Sequence, residues 1–143
     1  MEPKNISREA RGPSFRKVQR RRVLLVNEDP ESLQFYRTVL QAWGYQVRAC
    51  SCYKEGLRCL SSGVFDVVMV SQGSRSFEGR CVLEQAIRIN RRLPVLVLAR
   101  CPDMPCYLEA MQLGAADYLA EPVLVSEMGR LIEAHRLGLR RLD

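Results

Sequence analysis

The sequence predicts an α/β fold in which five parallel strands alternate with five helices. Short apolar runs rich in β-branched residues recur along the chain, as at residues 67–70 and 95–99, and amphipathic stretches separate them. Strands that are buried on both faces appear as continuous apolar runs. Regular strand–helix alternation implies a parallel sheet with right-handed crossovers. At 143 residues, the chain is long enough for one domain and too short for two.

The first helix has the clearest local signals in the amino-terminal half. Asp29 is a favourable N-cap, Pro30 fits the first helical position, and Gly44 is expected to end the helix. A second, short helix is expected over residues 53–60. The strands of this half are predicted over residues 23–26, 45–49 and 66–70.

The carboxyl-terminal half is predicted to contain two strands and three helices. Asp103 is expected to cap the fourth helix, which Gly114 closes, and Ser126 followed by Glu127 is expected to cap the fifth. The third helix is predicted over residues 79–90, and the strands over residues 95–99 and 116–120.

Positive charge is concentrated at the amino terminus. Residues 1–22 carry eight Lys and Arg against two acids, whereas residues 23–143 carry fourteen of each. Residues 1–20 lack hydrophobic periodicity, which predicts a flexible basic tail ahead of a domain over residues 21–143. The tail is either a solvated extension or a weak, sequence-independent contact with nucleic acid or an acidic partner.

Several classes of function lack support in the composition. The amino terminus has no apolar signal segment, and no apolar run is long enough to span a bilayer, so we expect a cytoplasmic protein without membrane contact. The six cysteines are therefore expected to be reduced, and no second Cys pair or nearby His completes a zinc site with Cys50 and Cys52. We expect no cofactor, no metal and no catalytic residue, because nucleotide-binding motifs are lacking and the only histidine, His135, belongs to the last helix.

Several motifs carry a resemblance to a known family. They are Val-Leu-Leu-Val-Asn-Glu-Asp-Pro from residue 23, residues 66–79, Pro-Val-Leu-Val-Leu-Ala from residue 94, Leu-Gly-Ala-Ala-Asp-Tyr from residue 113, and Glu121-Pro122. On these motifs, residues 21–140 resemble the receiver domain of two-component response regulators. The resemblance implies a flavodoxin-like (βα)5 fold with strand order 2-1-3-4-5.

The resemblance also implies a phosphorylation site at the carboxyl ends of the strands. The family transfers a phosphoryl group from a histidine kinase to an aspartate that ends strand three, and two acids after strand one hold Mg²⁺. A Thr or Ser ends strand four, and a Lys precedes a Pro after strand five. The matching positions of this sequence form a degenerate pocket: Asn27, Glu28, Asp29, Ser71, Ala99 and Glu121.

The residue types in this pocket predict a receiver without the usual phosphorylation switch. Ser71 cannot form an acyl phosphate, Ala99 offers no hydroxyl, and Glu121 reverses the charge of the family's lysine. Arg75 or Arg100 is expected to pair with one of the pocket acids, with a solvent-facing Arg100 as the alternative. Phosphorylation of Ser71 by a serine kinase is disfavoured by the acidic neighbours.

We therefore expect a signalling module that acts by protein–protein interaction in a two-component phosphorelay pathway. Tyr118 matches the family's switch aromatic and, without a hydroxyl at Ala99, is expected to keep one rotamer; simple packing is the alternative. Tyr107 and Tyr118 mark the face of helix four, strand five and helix five, where a kinase, regulator, effector or second copy would bind. The other hypotheses are a platform for the basic tail and a ligand-binding or enzymatic domain. We expect any output to pass through a partner, and the alternative is that the sequence is a fragment of a longer regulator.

Overall fold

The computed structural model describes residues 21–136, without the side chain of Arg136. The predicted basic tail, residues 1–20, and residues 137–143 lie outside the described residues. Within the described range, strands and helices alternate from beginning to end. The strands are β1 (Arg22–Val26), β2 (Gln46–Cys50), β3 (Val67–Ser71), β4 (Val95–Ala99) and β5 (Asp117–Ala120). The helices are α1 (Pro30–Ala42), α2 (Tyr53–Ser62), α3 (Arg80–Ile89), α4 (Met104–Leu113) and α5 (Val125–Arg136).

The five strands form one parallel sheet in the order β2-β1-β3-β4-β5, as predicted. The chain runs outward from β1 to β2 and then returns past β1 to β3, so the strand order reverses between β1 and β3. In open parallel sheets, binding sites form at such a reversal, beyond the carboxyl ends of the strands. This topology places the candidate site next to Val26 and Ser71.

Helices cover both faces of the sheet. On one face, Leu24, Val70 and Val97 pack with apolar side chains of α2, α3 and α4. On the other face, Leu25 and Met69 pack with α1 and α5. All residues of β3 and β4 are buried, which explains why these strands are continuous apolar runs in the sequence.

The predicted caps of α1 and α4 are confirmed. The Asp29 carboxylate accepts a hydrogen bond from the Ser32 amide at 2.9 Å, and the Asp103 carboxylate accepts one from the Cys106 amide at 3.1 Å. Gly44 and Gly114 follow α1 and α4 with φ of 96° and 108°, the left-handed conformation in which glycine avoids a Cβ clash.

The predicted cap of α5 is wrong. The helix begins at Val125, before Ser126, because the Leu124 carbonyl already accepts the helical hydrogen bond from the Met128 amide at 3.0 Å. Ser126 therefore lies inside the first turn.

Several predicted boundaries also shift. Strands β2 and β3 begin and end one residue later than predicted, so Ser71 is the last residue of β3. Strand β5 begins one residue later, α2 continues to Ser62, and α3 spans Arg80–Ile89. These differences arise at element ends, where propensity is weak and tertiary hydrogen bonds decide. The Asp66 side chain, for example, accepts a hydrogen bond from the Arg22 amide, and β3 begins at the next residue, Val67.

The cysteines form no disulfide bond. All six cysteines are free thiols; Cys50 and Cys59 are buried with their sulfur atoms 3.7 Å apart, whereas Cys52 and Cys101 are exposed. Among the described residues, no helix is both long and apolar enough to cross a membrane.

The assignment of the core can be tested at Leu24, which is fully buried at the centre of β1. We expect Leu24→Ala to lower the free energy of unfolding by about 2–5 kcal/mol, because it removes buried methyl groups and leaves a cavity. Leu108→Ala, on the half-exposed surface of α4, is the matched control and should change the free energy by less than about 0.5 kcal/mol. Urea unfolding measures both, and equal losses would contradict the assigned core.

Candidate functional site

A polar cleft of about 740 Å³ opens at the carboxyl edge of the sheet. It lies at the reversal of strand order and extends towards β5. Seven residues that the sequence singles out line it: Asn27, Glu28, Asp29, Ser71, Arg75, Arg100 and Glu121. Ala99 does not reach the cleft, because it is fully buried at the end of β4, where its carbonyl accepts from the Glu121 amide at 2.9 Å.

Ser71 is buried at the base of the cleft, and its hydroxyl is hydrogen-bonded to a tyrosine. Its hydroxyl lies 2.8 Å from the hydroxyl of Tyr53, the first residue of α2, and the same phenol donates to the Ser71 carbonyl at 3.3 Å. Only 9% of Ser71 is exposed. The Ser71 hydroxyl is therefore engaged by Tyr53, and little of the residue is open to a reagent in the cleft.

The Tyr53 phenol stays protonated at neutral pH. Burial raises its pKa, and the nearby carboxylates of Glu28 and Glu78 raise it further, while the hydrogen bond with Ser71 lowers it. A protonated phenol cannot act as the general base that a serine nucleophile needs. The contact is suited to holding Ser71 in place and not to activating it.

The loop between β3 and α3 folds over the same side of the cleft. The Glu78 carboxylate accepts from the Ser74 amide at 2.6 Å and from the Ser74 hydroxyl at 2.7 Å, and these bonds hold the pKa of Glu78 below its usual value. At the base of the loop, the Gly79 amide donates to the Gln72 carbonyl at 3.0 Å. A Cβ atom on Gly79 would lie 2.1 Å from the Ser71 carbonyl oxygen, so only glycine allows this close approach.

The turn after β1 is held by its own side chains. Asn27 is 3% exposed, and its side-chain oxygen accepts from the Asp29 amide at 3.0 Å. Its Nδ2 group is buried and has no hydrogen-bond partner among the described residues. Glu28 is exposed at the cleft wall, close enough for its charge to act on Tyr53.

The two arginines take different partners. The Arg100 guanidinium lies 3.2 Å from the Asp29 carboxylate, on the oxygen that the Ser32 amide does not occupy. Arg75 lies 3.7 Å from Asp103, which is outside the cleft, and its own side chain is largely exposed. Of the two arginines, Arg100 is thus the one beside a pocket acid.

Glu121 is held by a tyrosine of α1. The Tyr36 hydroxyl donates to the Glu121 carboxylate at 2.7 Å. Burial, and then this hydrogen bond and the carboxylate charge, raise the pKa of Tyr36, so the phenol remains the donor. The Glu121 carboxylate is therefore oriented between the cleft and α1.

The side chain of Gln72 is the main feature that the sequence analysis missed. Gln72 follows Ser71 directly, is 1% exposed, and accepts a hydrogen bond from the Tyr118 hydroxyl. The Tyr118 oxygen in turn accepts from the Asp103 amide at 3.1 Å. A large polar side chain directly after a buried strand was the available signal, although nothing in the sequence names its partner.

Tyr118 also packs against the exposed surface of α4. The rings of Tyr107 and Tyr118 meet edge to face, with centroids 5.5 Å apart. Tyr107, Met104 and Leu108 are 37%, 65% and 50% exposed, respectively. We call these three residues the α4 patch. It is an apolar surface, and the half-buried ring of Tyr118 packs against its Tyr107.

Comparison with known proteins now identifies the family. Residues 23–133 match the family model of the response regulator receiver domain. The chain belongs to this family. A receiver domain from Clostridium thermocellum has a similar structure, with a TM-score of 0.75 and 25% sequence identity, and the match covers 83% of this chain and 98% of that one.

Two curated relatives are longer proteins. The chain is 27% identical to the transcriptional regulatory protein ZraR of Escherichia coli (strain K12) over 101 residues, which are 71% of this chain and 23% of ZraR. It is 29% identical to the two-component response regulator-like protein APRR1 of Arabidopsis thaliana over 121 residues, which are 82% of this chain and 20% of APRR1. This receiver domain thus spans less than a quarter of the length of either relative.

The magnesium ion that the family's chemistry uses would find only one carboxylate, Glu28, at the two positions after β1 where the resemblance places acids, and a hydroxyl in place of a carboxylate at the end of β3. The Asn27 oxygen is occupied by the Asp29 amide, and the Asp29 carboxylate is occupied by the Ser32 amide and Arg100. Among residues 21–136, no group of three or more His, Cys, Asp or Glu side chains converges to hold a metal. Mg²⁺ requires near-octahedral oxygen ligands, and the described cleft does not supply them.

The ion pair and the cap at Asp29 predict a measurable pH dependence. The Ser32 amide and hydroxyl, and then Arg100, hold the pKa of Asp29 below its usual value. Because the folded-state pKa is the lower one, the stabilisation is complete above the unfolded-state pKa of about 3.9 and is lost as the pH falls through the folded-state value. Asp29→Asn retains a capping oxygen but does not titrate, so it should lose less stability than the wild type between about pH 5 and pH 2.

Thermal unfolding across this pH range measures the difference. The matched control is Glu31→Gln, which changes an exposed carboxylate in the first turn of the same helix. The same pH dependence in the wild type and in Asp29→Asn would contradict the role assigned to Asp29.

Proposed function

We propose that this receiver domain signals by protein–protein interaction and does not use a phosphorylated aspartate. The observation that carries the proposal is the contact between Ser71 and Tyr53. At the end of β3, where the family's chemistry needs an accessible carboxylate, this chain has a buried hydroxyl that is hydrogen-bonded to a protonated phenol. A hydroxyl cannot form an acyl phosphate, and only 9% of this residue is exposed.

The charges of the cleft support the same proposal. Glu121 follows β5, where the resemblance implies a lysine, and its carboxylate is fixed by Tyr36. Two like charges about 4 Å apart repel by roughly 4 kcal/mol at an effective dielectric constant of about 20, before screening by salt. Arg100, the cation nearest to the pocket acids, is already engaged by Asp29. An incoming phosphoryl group would therefore meet carboxylates without an uncommitted cation among the described pocket residues.

Phosphorylation of Ser71 as a serine is a poor alternative. A kinase requires an accessible segment, whereas Ser71 lies within the fully buried strand β3 and its hydroxyl is engaged by Tyr53. A phosphate at this position would also be repelled by the Glu28 and Glu78 carboxylates that surround Tyr53.

The α4 patch is the proposed contact surface. Met104, Tyr107 and Leu108 give an exposed apolar surface on α4, beside Tyr118 of β5. Aromatic and Met side chains are enriched at the centres of protein interfaces. The proposed occupant is a kinase, regulator or effector of a two-component phosphorelay pathway, and a second copy of the chain on the α4–β5–α5 face is the alternative.

The basic amino terminus supports a second candidate function. The net charge of +6 is carried by residues 1–22, while residues 23–143 are neutral. Such a segment gives salt-sensitive, sequence-independent attraction to nucleic acid or to an acidic partner. In this case the receiver domain is a platform, and the contact is made outside the α4 patch. A ligand-binding or enzymatic role has no comparable support in the described cleft.

The phosphorylation part of the proposal is tested with acetyl phosphate and Mg²⁺, followed by intact mass measurement. We expect the wild type to gain no phosphoryl group. A variant that carries the family's residue types, Asn27→Asp, Ser71→Asp, Ala99→Thr and Glu121→Lys, is the comparison and should gain one. A Mg²⁺-dependent, hydroxylamine-sensitive phosphoryl group on the wild type would overturn the proposal.

The interaction part is tested by pull-down from native lysate, with the whole chain and with a truncated chain beginning at Val23, with and without nuclease. We expect both lengths to retain the same proteins irrespective of nuclease. Tyr107→Ala combined with Leu108→Ala should weaken retention by about tenfold or more, since Tyr contacts often contribute more than 1 kcal/mol.

Ile89→Ala is the matched control for this experiment, because Ile89 is half exposed on α3, away from the α4 patch. Retention that disappears with the tail or with nuclease, and that the α4 substitutions leave unchanged, would favour the basic tail instead.

A further inference from the structure

A buried glutamine joins the base of the cleft to the support of the α4 patch. Gln72 uses both ends of its amide: the oxygen accepts from the Tyr118 hydroxyl, and Nε2 donates to the Ser74 carbonyl at 3.2 Å. Its backbone is fixed as well, because the Gln72 amide donates to the Leu98 carbonyl at 2.7 Å. The Gln72 side-chain amide is therefore held in place by bonds that do not involve Tyr118.

We propose that Gln72 is a positioning residue that fixes Tyr118 in its inward rotamer and thereby sets the conformation of the α4 patch. The consequence for partners rests on the function proposed above, whereas the clamp itself can be measured without any partner. Tyr118 would thus be positioned by a residue of the β3–α3 loop, next to Ser71, and not by a residue at the end of β4.

The end of β4 cannot perform this role. Ala99 is fully buried and carries no hydroxyl, so it offers Tyr118 no hydrogen bond. The Tyr118 hydroxyl finds its acceptor 46 positions away in the sequence, at Gln72. Burial raises the pKa of Tyr118, which keeps the phenol protonated and able to donate at neutral pH.

Tyr118 in turn holds the beginning of α4. Its oxygen accepts from the Asp103 amide at 3.1 Å, and the carboxylate of Asp103 caps α4 through the Cys106 amide. The Cys106 thiol donates to the Arg75 carbonyl at 3.5 Å, which ties α4 back to the same loop. Outward rotation of Tyr118 would leave the Gln72 oxygen and the Asp103 amide without these partners and would remove the ring that supports Tyr107.

The energetic preference follows from burial. A buried acceptor that loses its donor is disfavoured by a factor of about ten or more, because water cannot replace the lost bond without entering the core. Gln72 is 1% exposed, so this condition holds for its oxygen. The inward rotamer is therefore favoured by the side chains alone, with no contribution from a phosphoryl group or a metal.

The experiment uses the whole chain labelled with 3-fluorotyrosine, and the ¹⁹F resonances of Tyr118 and Tyr107 are assigned by Tyr118→Phe and Tyr107→Phe. We expect one Tyr118 resonance in the wild type, unchanged by acetyl phosphate and Mg²⁺. Gln72→Met preserves volume but removes the acceptor, and it should shift the Tyr118 resonance or add a second one, with a parallel change at Tyr107. Gln34→Met, on the exposed face of α1, is the matched control and should change neither.

Hydrogen exchange supplies a second measurement that does not depend on the folding of Gln72→Met. In Tyr118→Phe, which keeps the ring, the Asp103 amide should exchange roughly tenfold faster, because its acceptor is gone. Unchanged Tyr118 and Tyr107 resonances in Gln72→Met, or unchanged exchange at Asp103 in Tyr118→Phe, would overturn the clamp. A phosphoryl group that is incorporated at the cleft and leaves these signals unaltered would overturn the proposed function and leave the clamp intact.

Discussion

Three tyrosine hydroxyls pair with polar side chains at the carboxyl edge of the sheet, and the arrangement of the cleft depends on them. Tyr53 bonds to Ser71, Tyr36 to Glu121, and Tyr118 to Gln72. The edge needs such partners because β3 and β4 are buried on both faces, so polar atoms at their ends are shielded from water. Each tyrosine comes from a different element, and each can donate while its ring packs in a mostly apolar setting. Three polar side chains at this edge thus have protein groups as their hydrogen-bond partners.

Protein groups also hold two of the charged side chains of the cleft, Asp29 and Glu121. A pocket built for a cation and a phosphoryl group would need its carboxylates free and a lysine facing them. Here the carboxylate of Asp29 is divided between a helix cap and Arg100, and that of Glu121 is directed by Tyr36. Both ion pairs that involve the cleft arginines are largely solvent-exposed, so they direct side chains more than they stabilise the fold. Hydrogen bonds, and not ion pairs, therefore determine the geometry.

What the sequence predicted, and what it missed, depends on how far apart the interacting residues lie. The strands, the caps at Asp29 and Asp103 and the terminating glycines were predictable, because each signal lies within a few residues of the feature that it determines. The cap at Ser126 was mispredicted because the local preference for Ser at an N-cap did not decide: the Leu124 carbonyl accepts the first helical hydrogen bond although Leu is a poor N-cap residue. The Tyr36 hydroxyl bonds to a carboxylate 85 positions away. Gln72 and Tyr53 act over 46 and 18 positions. Side-chain pairs of this kind follow from the three-dimensional register, which no local pattern contains.

The close approach of Gly79 to Ser71 has a mechanical consequence. The base of the β3–α3 loop is joined by the Gly79–Gln72 hydrogen bond and by a contact that leaves no room for a single carbon atom. The two ends of the loop, at Gln72 and Gly79, are therefore held together and fixed to the end of β3. A displacement of the loop tip, around Ser74 and Arg75, can occur without moving the end of β3. It would act instead on the hydrogen bonds that the Ser74 and Arg75 carbonyls accept from the side chains of Gln72 and Cys106, and the second of these bonds leads to α4.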